Sequence, residues 1–470
     1  MKRVLPWDGD ETELSSIAES ATQNAHEHIL SAESPKASND ASSLMRDKDP
    51  FQAVVQRDHM RPQRLRIVLY SSARTGLGHM RRNLLIAQTL ACSHLQATIL
   101  LITGAREACA FPMPAGIDCL TLPALRKEAD GQCKPRYLDI SLRELIALRA
   151  KTIRAALEEF QPDVLIVDKM PRGVVRELDP ALEFLRARGH TRCVLGLRDI
   201  LDDPESVHRE WCNEANEDAI RNYYDAVWVY GDPAVYDLVR EYQLSPHIAA
   251  KVCYTGYLDQ CMRPEFTEVE CADPLVALAL PPGHLVLCMV GGGQDGAHLA
   301  EAFTQADLPP TTNGVLVTGP FMSLKVRQRL SRRAVENPRL RVLGFITEPE
   351  LLLRRADRVI AMGGYNTVCE VLSYEKHALI VPRVNPRREQ LIRAERLRDL
   401  SLLDVLHPDK LNSRALTEWL ARDMGPPPRA RDRIDLNGLS RLPHLLEEVL
   451  AAPPHPARSK FHEGGIQHVD

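Results

Sequence analysis

The residues best able to do chemistry in this 470-residue chain lie between Met362 and Gln390. A Val/Ile/Ala-rich strand pattern, Arg358 to Ala361, empties into Met362-Gly363-Gly364. The spacing beyond predicts a helix beginning near Asn366, with Thr367 in its first turn and Glu370 in the next. Glycines let a backbone approach a ligand closely, and the opening turn of a helix offers unpaired N–H groups at the positive end of its macrodipole. Phosphate oxygens fit such a place. Thr367 adds an O–H donor, and Glu370 can accept hydrogen bonds from a pair of ribose hydroxyls. The pattern reads as a seat for a nucleoside diphosphate, with an Asn-capped strand-to-helix turn as the structural alternative.

Two other glycine loops carry candidates. Ser71-Ser72-Ala73-Arg74-Thr75-Gly76-Leu77-Gly78-His79 follows the first strand pattern and puts His79 at the start of the next helix. The positive end of that helix lowers the histidine's pKa and favours a neutral imidazole. A neutral imidazole suits a general base acting on a hydroxyl or on water; a helix cap, or a bond to a loop carbonyl, is the alternative. Of Arg81 and Arg82, one can reach phosphate while the other lies on a solvated face. The second loop, Gly291-Gly292-Gly293-Gln294-Asp295-Gly296, satisfies the Gly-x-Gly-x-x-Gly fingerprint of dinucleotide sites. The next strand, however, ends Val317-Thr318-Gly319-Pro320 without the acid that an NAD ribose requires. Gly292 and Gly293 therefore remain candidates for a diphosphate contact or for close strand-to-helix packing. Phe345 and Ile346, at the end of another strand, offer an apolar wall for a flat base, or simply core. Asp168 and Asp199 each end a strand, as rival bases or as structural caps.

Strand and helix patterns alternate through most of the chain, the signature of parallel sheets with crossover helices. Strand candidates run from Leu65, Ala97, Val164, Cys193, Ala226 and Val252 in one series, and from Leu285, Gly314, Leu340, Arg358 and Ala378 in a second. The expected organisation is a polar, disordered extension at 1–64, an N-terminal Rossmann-like domain at 65–258, a Pro-broken linker at 259–283, and a C-terminal Rossmann-like domain at 284–424; the resemblance described below implies that the first is the acceptor domain and the second the nucleotide-sugar-binding domain. A helical segment at 425–451 and a tail at 452–470 complete it. Within the extension, Asp8-Gly9-Asp10 and His26-Glu27-His28 look like metal-binding clusters but read as parts of a solvated tail. Two doubly wound domains imply a cleft lined by the carboxyl ends of both strand sets, where ligands of open α/β sheets bind.

At 44% apolar and 26% charged the chain reads as a soluble globular protein, and its net charge of −4 supplies no global field for nucleic acid. Its eleven cysteines are scattered without Cys-x-x-Cys or zinc-type spacing, which points to reduced thiols and a cytoplasmic location. Neither an 18-residue apolar run nor a signal-peptide pattern is found. Peripheral membrane contact remains compatible with this composition.

Together the loops resemble the nucleotide-sugar-binding half of GT-B glycosyltransferases related to the bacterial UDP-GlcNAc transferase that completes lipid II, the family 28 C-terminal domain type. The resemblance rests on the Gly291–Gly296 loop, Gly344-Phe345-Ile346, Ala356-Asp357-Arg358-Val359-Ile360, Gly363-Gly364-Tyr365-Asn366-Thr367 with Glu370, Val381-Pro382-Arg383, and Glu389-Gln390. Gly76-Leu77-Gly78-His79-Met80-Arg81-Arg82 is similar to the glycine-histidine loop of that superfamily, and with Tyr70-Ser71 it resembles a group of bacterial predicted glycosyltransferases. The similarity covers about Leu65 to Arg422. It implies an α/β GT-B fold, two Rossmann-like domains facing across a cleft. It further implies that Glu370 holds the ribose, that Gly364, Asn366 and Thr367 with Gly292 and Gly293 cradle the diphosphate, and that Phe345 and Ile346 lie beside the uracil. Gln390 would reach the donor sugar and His79 would be the base, with Gly78, Arg82, Asp168 and Asp199 on the acceptor side. The implied reaction moves a sugar from a UDP-sugar to a hydroxyl-bearing acceptor that the motifs leave unidentified, with inversion, no metal and no cofactor. A nucleotide-sugar hydrolase, a 2-epimerase and a non-catalytic UDP-sugar-binding protein share the architecture.

Overall fold

A computed structural model describes residues 64–453, apart from 73–77, 107, 109–110, 112, 128–131, 264–273 and 347–348. The expected extension before residue 64, with its Asp-Gly-Asp and His-Glu-His clusters, lies outside the described residues, as do Gly76, Leu77 and the tail from 454.

The N-terminal domain contains β1 (Arg66–Ser71), β2 (Thr98–Thr103), β3 (Ile117–Thr121), a small hairpin of β4 (Leu125–Lys127) and β5 (Cys133–Pro135), then β6 (Val164–Asp168), β7 (Arg192–Arg198), β8 (Ala226–Tyr230) and β9 (Val252–Tyr254). Apart from the hairpin these strands form one parallel sheet in the order β3-β2-β1-β6-β7-β8-β9. The C-terminal domain supplies β10 (His284–Met289), β11 (Thr312–Val317), β12 (Leu340–Leu343), β13 (Arg358–Ala361), β14 (His377–Ile380) and β15 (Asp404–Val405). They too pair in parallel, in the order β12-β11-β10-β13-β14-β15. The near-continuous Val/Ile/Leu runs of β1, β6 and β10 suit strands covered by helices on both faces, and their side chains are almost wholly buried.

The strand order decides where a ligand can sit. The chain winds outward from β1 to β3 and then returns to β6 on the other side, so the first sheet reverses between β1 and β6; the second reverses between β10 and β13. Loops diverge at such a switch point and leave a crevice at the carboxyl ends of the strands. The loop before His79 follows β1, Asp168 ends β6, Gly291–Gly296 follows β10, and Gly363-Gly364 follows β13. All four positions thus open at the switch points of their sheets.

The helices that matter for the site are α1 (Gly78–Cys92), α2 (Tyr365–Ser373), α3 (Glu389–Asp399) and α4 (Gly438–Ala451). α1 buries Met80, Leu84, Ile86 and Leu90 against its sheet. The C-terminal segment, which sequence left without a place, crosses back: α4 packs along α1 and its Glu447 meets His94 at 2.8 Å. Further bonds tie the two domains. Arg393 bonds Asp199 at 2.6 and 2.8 Å, Arg387 meets Glu210 at 2.8 Å, and the Arg388 amide donates to Asp202 at 2.8 Å.

β3, the β4–β5 hairpin and β15 were not foreseen. β3 is an edge strand with Asp118 exposed at its second position, the hairpin strands read Leu-Arg-Lys and Cys-Lys-Pro, and β15 has two residues, so none carries an apolar run. Within the expected linker, the described residues form a short turn at Gln260–Met262 and a four-residue helix at Pro274–Ala277.

Candidate active site

On the N-terminal side, α1 begins at Gly78 and brings His79 over the end of β6. His79 Nδ1 lies 2.6 Å from Asp168 Oδ2, and Arg82, one turn along α1, donates to Asp168 Oδ1. Burial pushes the Asp168 carboxyl up, but Arg82 and His79 outweigh it and hold the group ionised, well below the usual carboxylate range. An ionised carboxylate has only acceptors, so Nδ1 must carry the ring hydrogen and donate it. That assigns the lone pair to Nε2. Burial also moves the His79 pKa down to about 4: Asp168 acts in the opposite sense but is outweighed, and Arg82 and Arg198 add to the fall. The imidazole is therefore neutral at pH 7, as the helix-dipole argument expects, but burial is the larger cause. The side chain keeps 21% of its surface exposed, enough to meet a substrate.

Asp168 is thus no rival to His79. Its oxygens are committed to His79 and Arg82, and it orients the histidine instead. Asp199 also departs from expectation. Only 1% exposed, it is closed off by the bidentate Arg393 and by the Tyr257 hydroxyl at 2.9 Å. It joins the two domains and cannot touch an acceptor. Arg82, 2% exposed, is likewise committed: it holds Asp168 and has its guanidinium near the rings of Tyr230 and Tyr365.

On the C-terminal side, α2 starts at Tyr365 rather than Asn366, with Gly364 as its N-cap and no side chain bonding its first amides. Gly364 has an ordinary φ of −64°, and a Cβ there would meet nothing within 4 Å. The fold does not require glycine at that point; what glycine leaves is open space at a helix N-terminus. Gly293 is the opposite case. Its φ is +89° and a Cβ would fall 2.3 Å from the Thr318 carbonyl oxygen, so backbone geometry alone accounts for it. Gly292 lies beside it, and a Cβ there would fall 3.4 Å from the Phe321 ring.

Asn366 spans the mouth of the cleft. Its amide donates to the Gly78 carbonyl at 2.9 Å, joining the starts of α2 and α1. Thr367 follows it, half-buried, in the first turn. Glu370 is 7% exposed and pairs with Arg81 at 3.4 Å; burial raises its pKa against the pull of Arg81. It opens into a solvent-open cleft that is also lined by Gln88, Phe111, Arg263 and Asn366. Phe111 meets Phe345 edge to face at 6.2 Å, and Phe345 is part exposed while Ile346 packs on the core. Gln390 is occupied: its Oε1 accepts from the Arg383 amide at 3.0 Å. The neighbouring Glu389, 2% exposed, pairs with Arg383 at 2.6 Å and is the more open of the two in hydrogen-bonding terms, since its Oε2 has no partner.

Sequence reasoning missed Tyr365, Arg393 and Arg198. Tyr365 stacks on Tyr257 at 6.2 Å and lies between Arg82 and Arg393, whose guanidinium centres are 5.5 and 5.6 Å from its ring. Arg393 is fully buried on α3, where the sequence Leu391-Ile392-Arg393-Ala394 gives an arginine amid apolar neighbours as the single available signal.

Residues 286–445 match the model of the glycosyltransferase family 28 C-terminal domain. An uncharacterized glycosyltransferase of Methanosarcina acetivorans is 22% identical over 258 residues, which cover 52% of this chain and 60% of the relative; one from Methanosarcina mazei matches to the same extent. The matched region thus spans about 60% of the length of these relatives. Among solved structures, the glycosyltransferase from Rickettsia africae aligns with a TM-score of 0.54 at 13% identity, over 83% of this chain and 100% of its own. The calicheamicin glycosyltransferase gives 0.51 at 18% identity, over 83% and 100%. A UDP-glucosyltransferase from Polygonum tinctorium gives 0.52 at 13% identity, over 83% and 93%. These structural likenesses concern the fold. With two parallel sheets opening on one cleft, the chain has the fold of these glycosyltransferases, and residues 286–445 in its second half match the family 28 C-terminal domain.

Proposed function

We propose that the protein is a glycosyltransferase that moves a sugar from a UDP-sugar to a hydroxyl-bearing acceptor, inverting the anomeric carbon and using no metal. The observation that carries this reading is the pairing of His79 with Asp168 across from the uncapped start of α2. In the proposed reaction Nε2 of His79 takes the proton of the acceptor hydroxyl as its oxygen attacks the anomeric carbon. The bond from that carbon to the diphosphate breaks with its electron pair, and UDP departs. Asp168 stabilises the imidazolium that forms. The amides of Tyr365, Asn366 and Thr367, with the dipole of α2, face the charge gathering on the departing diphosphate. Each dipole contribution of this kind is about 0.3 to 1 kcal/mol, rising to about 2 when partly buried. Gly364 leaves room for the phosphates, Glu370 accepts from the ribose once Arg81 yields, and Phe345 with Phe111 bounds the base. The name of the Polygonum UDP-glucosyltransferase supports a UDP-sugar as donor, and that of the family 28 domain supports glycosyl transfer.

The test is incubation with a panel of UDP-sugars, with and without cell extract as acceptor source and with EDTA, following UDP release and product mass. Acceptor-dependent UDP release that survives EDTA is expected. Release without acceptor would replace this reading with a hydrolase, an isomeric sugar nucleotide with a 2-epimerase, and binding without turnover with a nucleotide-sugar sensor. Among the described residues no helix is long and apolar enough to cross a membrane. We assign the protein to the cytoplasm, where UDP-sugars are available, with peripheral membrane contact a matter for vesicle binding.

A further inference from the structure

His79 is bracketed on its own helix by three residues that the other domain holds. α1 opens Gly78-His79-Met80-Arg81-Arg82, and α2 of the C-terminal domain opens Tyr365-Asn366, with Glu370 one turn on. Asn366 bonds the Gly78 carbonyl at 2.9 Å, Glu370 pairs with Arg81 at 3.4 Å, and the Tyr365 ring centre lies 5.5 Å from the Arg82 guanidinium. The Arg81 contact yields when a ribose takes Glu370, so two persist with a donor bound. The helix that seats the diphosphate in the proposed reaction thus also grips the first turn of the helix that carries the base.

The contact at Arg82 leads back to the chemistry. Among the described residues Arg82 has one ion-pair partner, Asp168, which it meets through Nη2, and Asp168 in turn takes His79 Nδ1 at 2.6 Å. A guanidinium held at one nitrogen can still pivot about that contact, and the Arg82 Nε has no partner to stop it. Rings supply the remaining constraint: Tyr230, 6.0 Å away in the same domain, and Tyr365 from the other. Arg82 and both tyrosines are almost wholly buried, the setting in which attraction between a cation and a ring is strongest. Tyr365 is itself well fixed. Its ring stacks on Tyr257 with 22° between the planes and lies 5.6 Å from Arg393, which bonds both Asp199 and the Gly363 carbonyl, the latter at 3.0 Å. The ring makes these contacts, for the Tyr365 hydroxyl has no hydrogen bond to either arginine.

Resting on the transferase reading, we infer that Tyr365 is a positioning residue for His79. Its ring fixes Arg82, Arg82 fixes Asp168, and Asp168 holds the Nδ1 hydrogen, leaving Nε2 to act as the base. Tyr365 belongs to the C-terminal domain, so the base is set when the two domains are closed as they are in this structure. Alignment of the base and of the turn that receives the departing diphosphate is then one event. A cleft opened to exchange substrates leaves Arg82, and through it His79, without that support, which confines sugar transfer to the closed state.

Downfield proton NMR of the full chain saturated with UDP reads the imidazole directly, because an Nδ1–H held by a carboxylate resonates far from other N–H protons; Asp168→Asn identifies the signal by removing it. Tyr365→Leu is expected to weaken or abolish this signal. It is also expected to slow single-turnover UDP release, with cell extract as acceptor source, about tenfold to thirtyfold, while UDP affinity by calorimetry stays within about threefold. Retained UDP binding shows that the variant is folded, and Tyr365→Phe, which keeps the ring, is expected to restore both readouts. A Tyr365→Leu protein that keeps either the native signal or the native turnover overturns the inference. So does one whose UDP affinity falls in proportion to turnover, a Tyr365→Phe protein as impaired as Tyr365→Leu, or a native protein without the downfield signal. A native protein that binds UDP but transfers no sugar refutes the transferase reading instead, and the NMR comparison then decides by itself whether Tyr365 positions His79.

Discussion

Replacing Asp168 by Asn tests the chemistry at its most exposed point. The variant keeps the shape of the side chain and can still accept a bond from Arg82, but it presents either a neutral oxygen or an N–H to His79. The electrostatic loss can be worked from the contact. Nδ1 and Oδ2 are 2.6 Å apart, so the centres of an imidazolium and a carboxylate lie roughly 4 Å apart; at an effective dielectric of about 20 their attraction is about 4 kcal/mol. At about 1.36 kcal/mol per tenfold, that corresponds to roughly a thousandfold in turnover, within the range of about 10² to 10⁴ that a positioned general base contributes. If Asn instead turns its N–H toward Nδ1, the ring is driven to the tautomer with Nε2 protonated and the base is lost outright. UDP affinity is expected to stay within about threefold, because Asp168 belongs to the other sheet. The pH profile adds a sign. Asp168 raises the His79 pKa, so removing it moves any residual acid limb to lower pH, whereas the native limb lies below the ordinary imidazole value of about 6.5. Stability responds separately: the depressed Asp168 pKa contributes stability above the unfolded carboxylate value of about 3.9, lost as pH falls through the folded value, and Asp168→Asn removes that contribution. Single-turnover UDP release measured across pH is the assay. An Asp168→Asn enzyme with native turnover and intact UDP binding would refute the His79–Asp168 mechanism.

Three other outcomes are expected. Glu370→Ala should weaken UDP about tenfold to a hundredfold by calorimetry and erase any discrimination against 2′-deoxy-UDP, since bonds to a charged partner contribute about 1.5 to 3 kcal/mol; unchanged discrimination would remove Glu370 from the ribose. Gly364→Ala should leave the urea midpoint almost unmoved while reducing UDP affinity, and Gly293→Ala should lower the midpoint clearly, because a Cβ meets open space at one position and the Thr318 carbonyl at the other. Arg393→Met should cost about 3 to 5 kcal/mol in urea unfolding by stranding Asp199, with the double variant Arg393→Met, Asp199→Leu recovering most of it; a single variant as stable as the native chain would show that the pair does not join the domains.

What sequence alone determined was the layout. Parallel strands buried on both faces must be nearly continuous in Val, Ile and Leu, so β1, β6, β10 and β13 were legible to within a residue at each end, and the glycines beyond β10 and β13 followed from the same reading. Strands without that burial, such as β3, carried no such pattern and were invisible. Pairing across the cleft was the province of tertiary structure. Asp168 and Asp199 look alike in sequence, each an acid at a strand end, yet one orients His79 and the other seals the domain junction with Arg393. The difference arises because their partners lie 89 and 194 residues away, at distances that only strand order and domain docking can close. The same holds for Asn366, whose amide turns to Gly78.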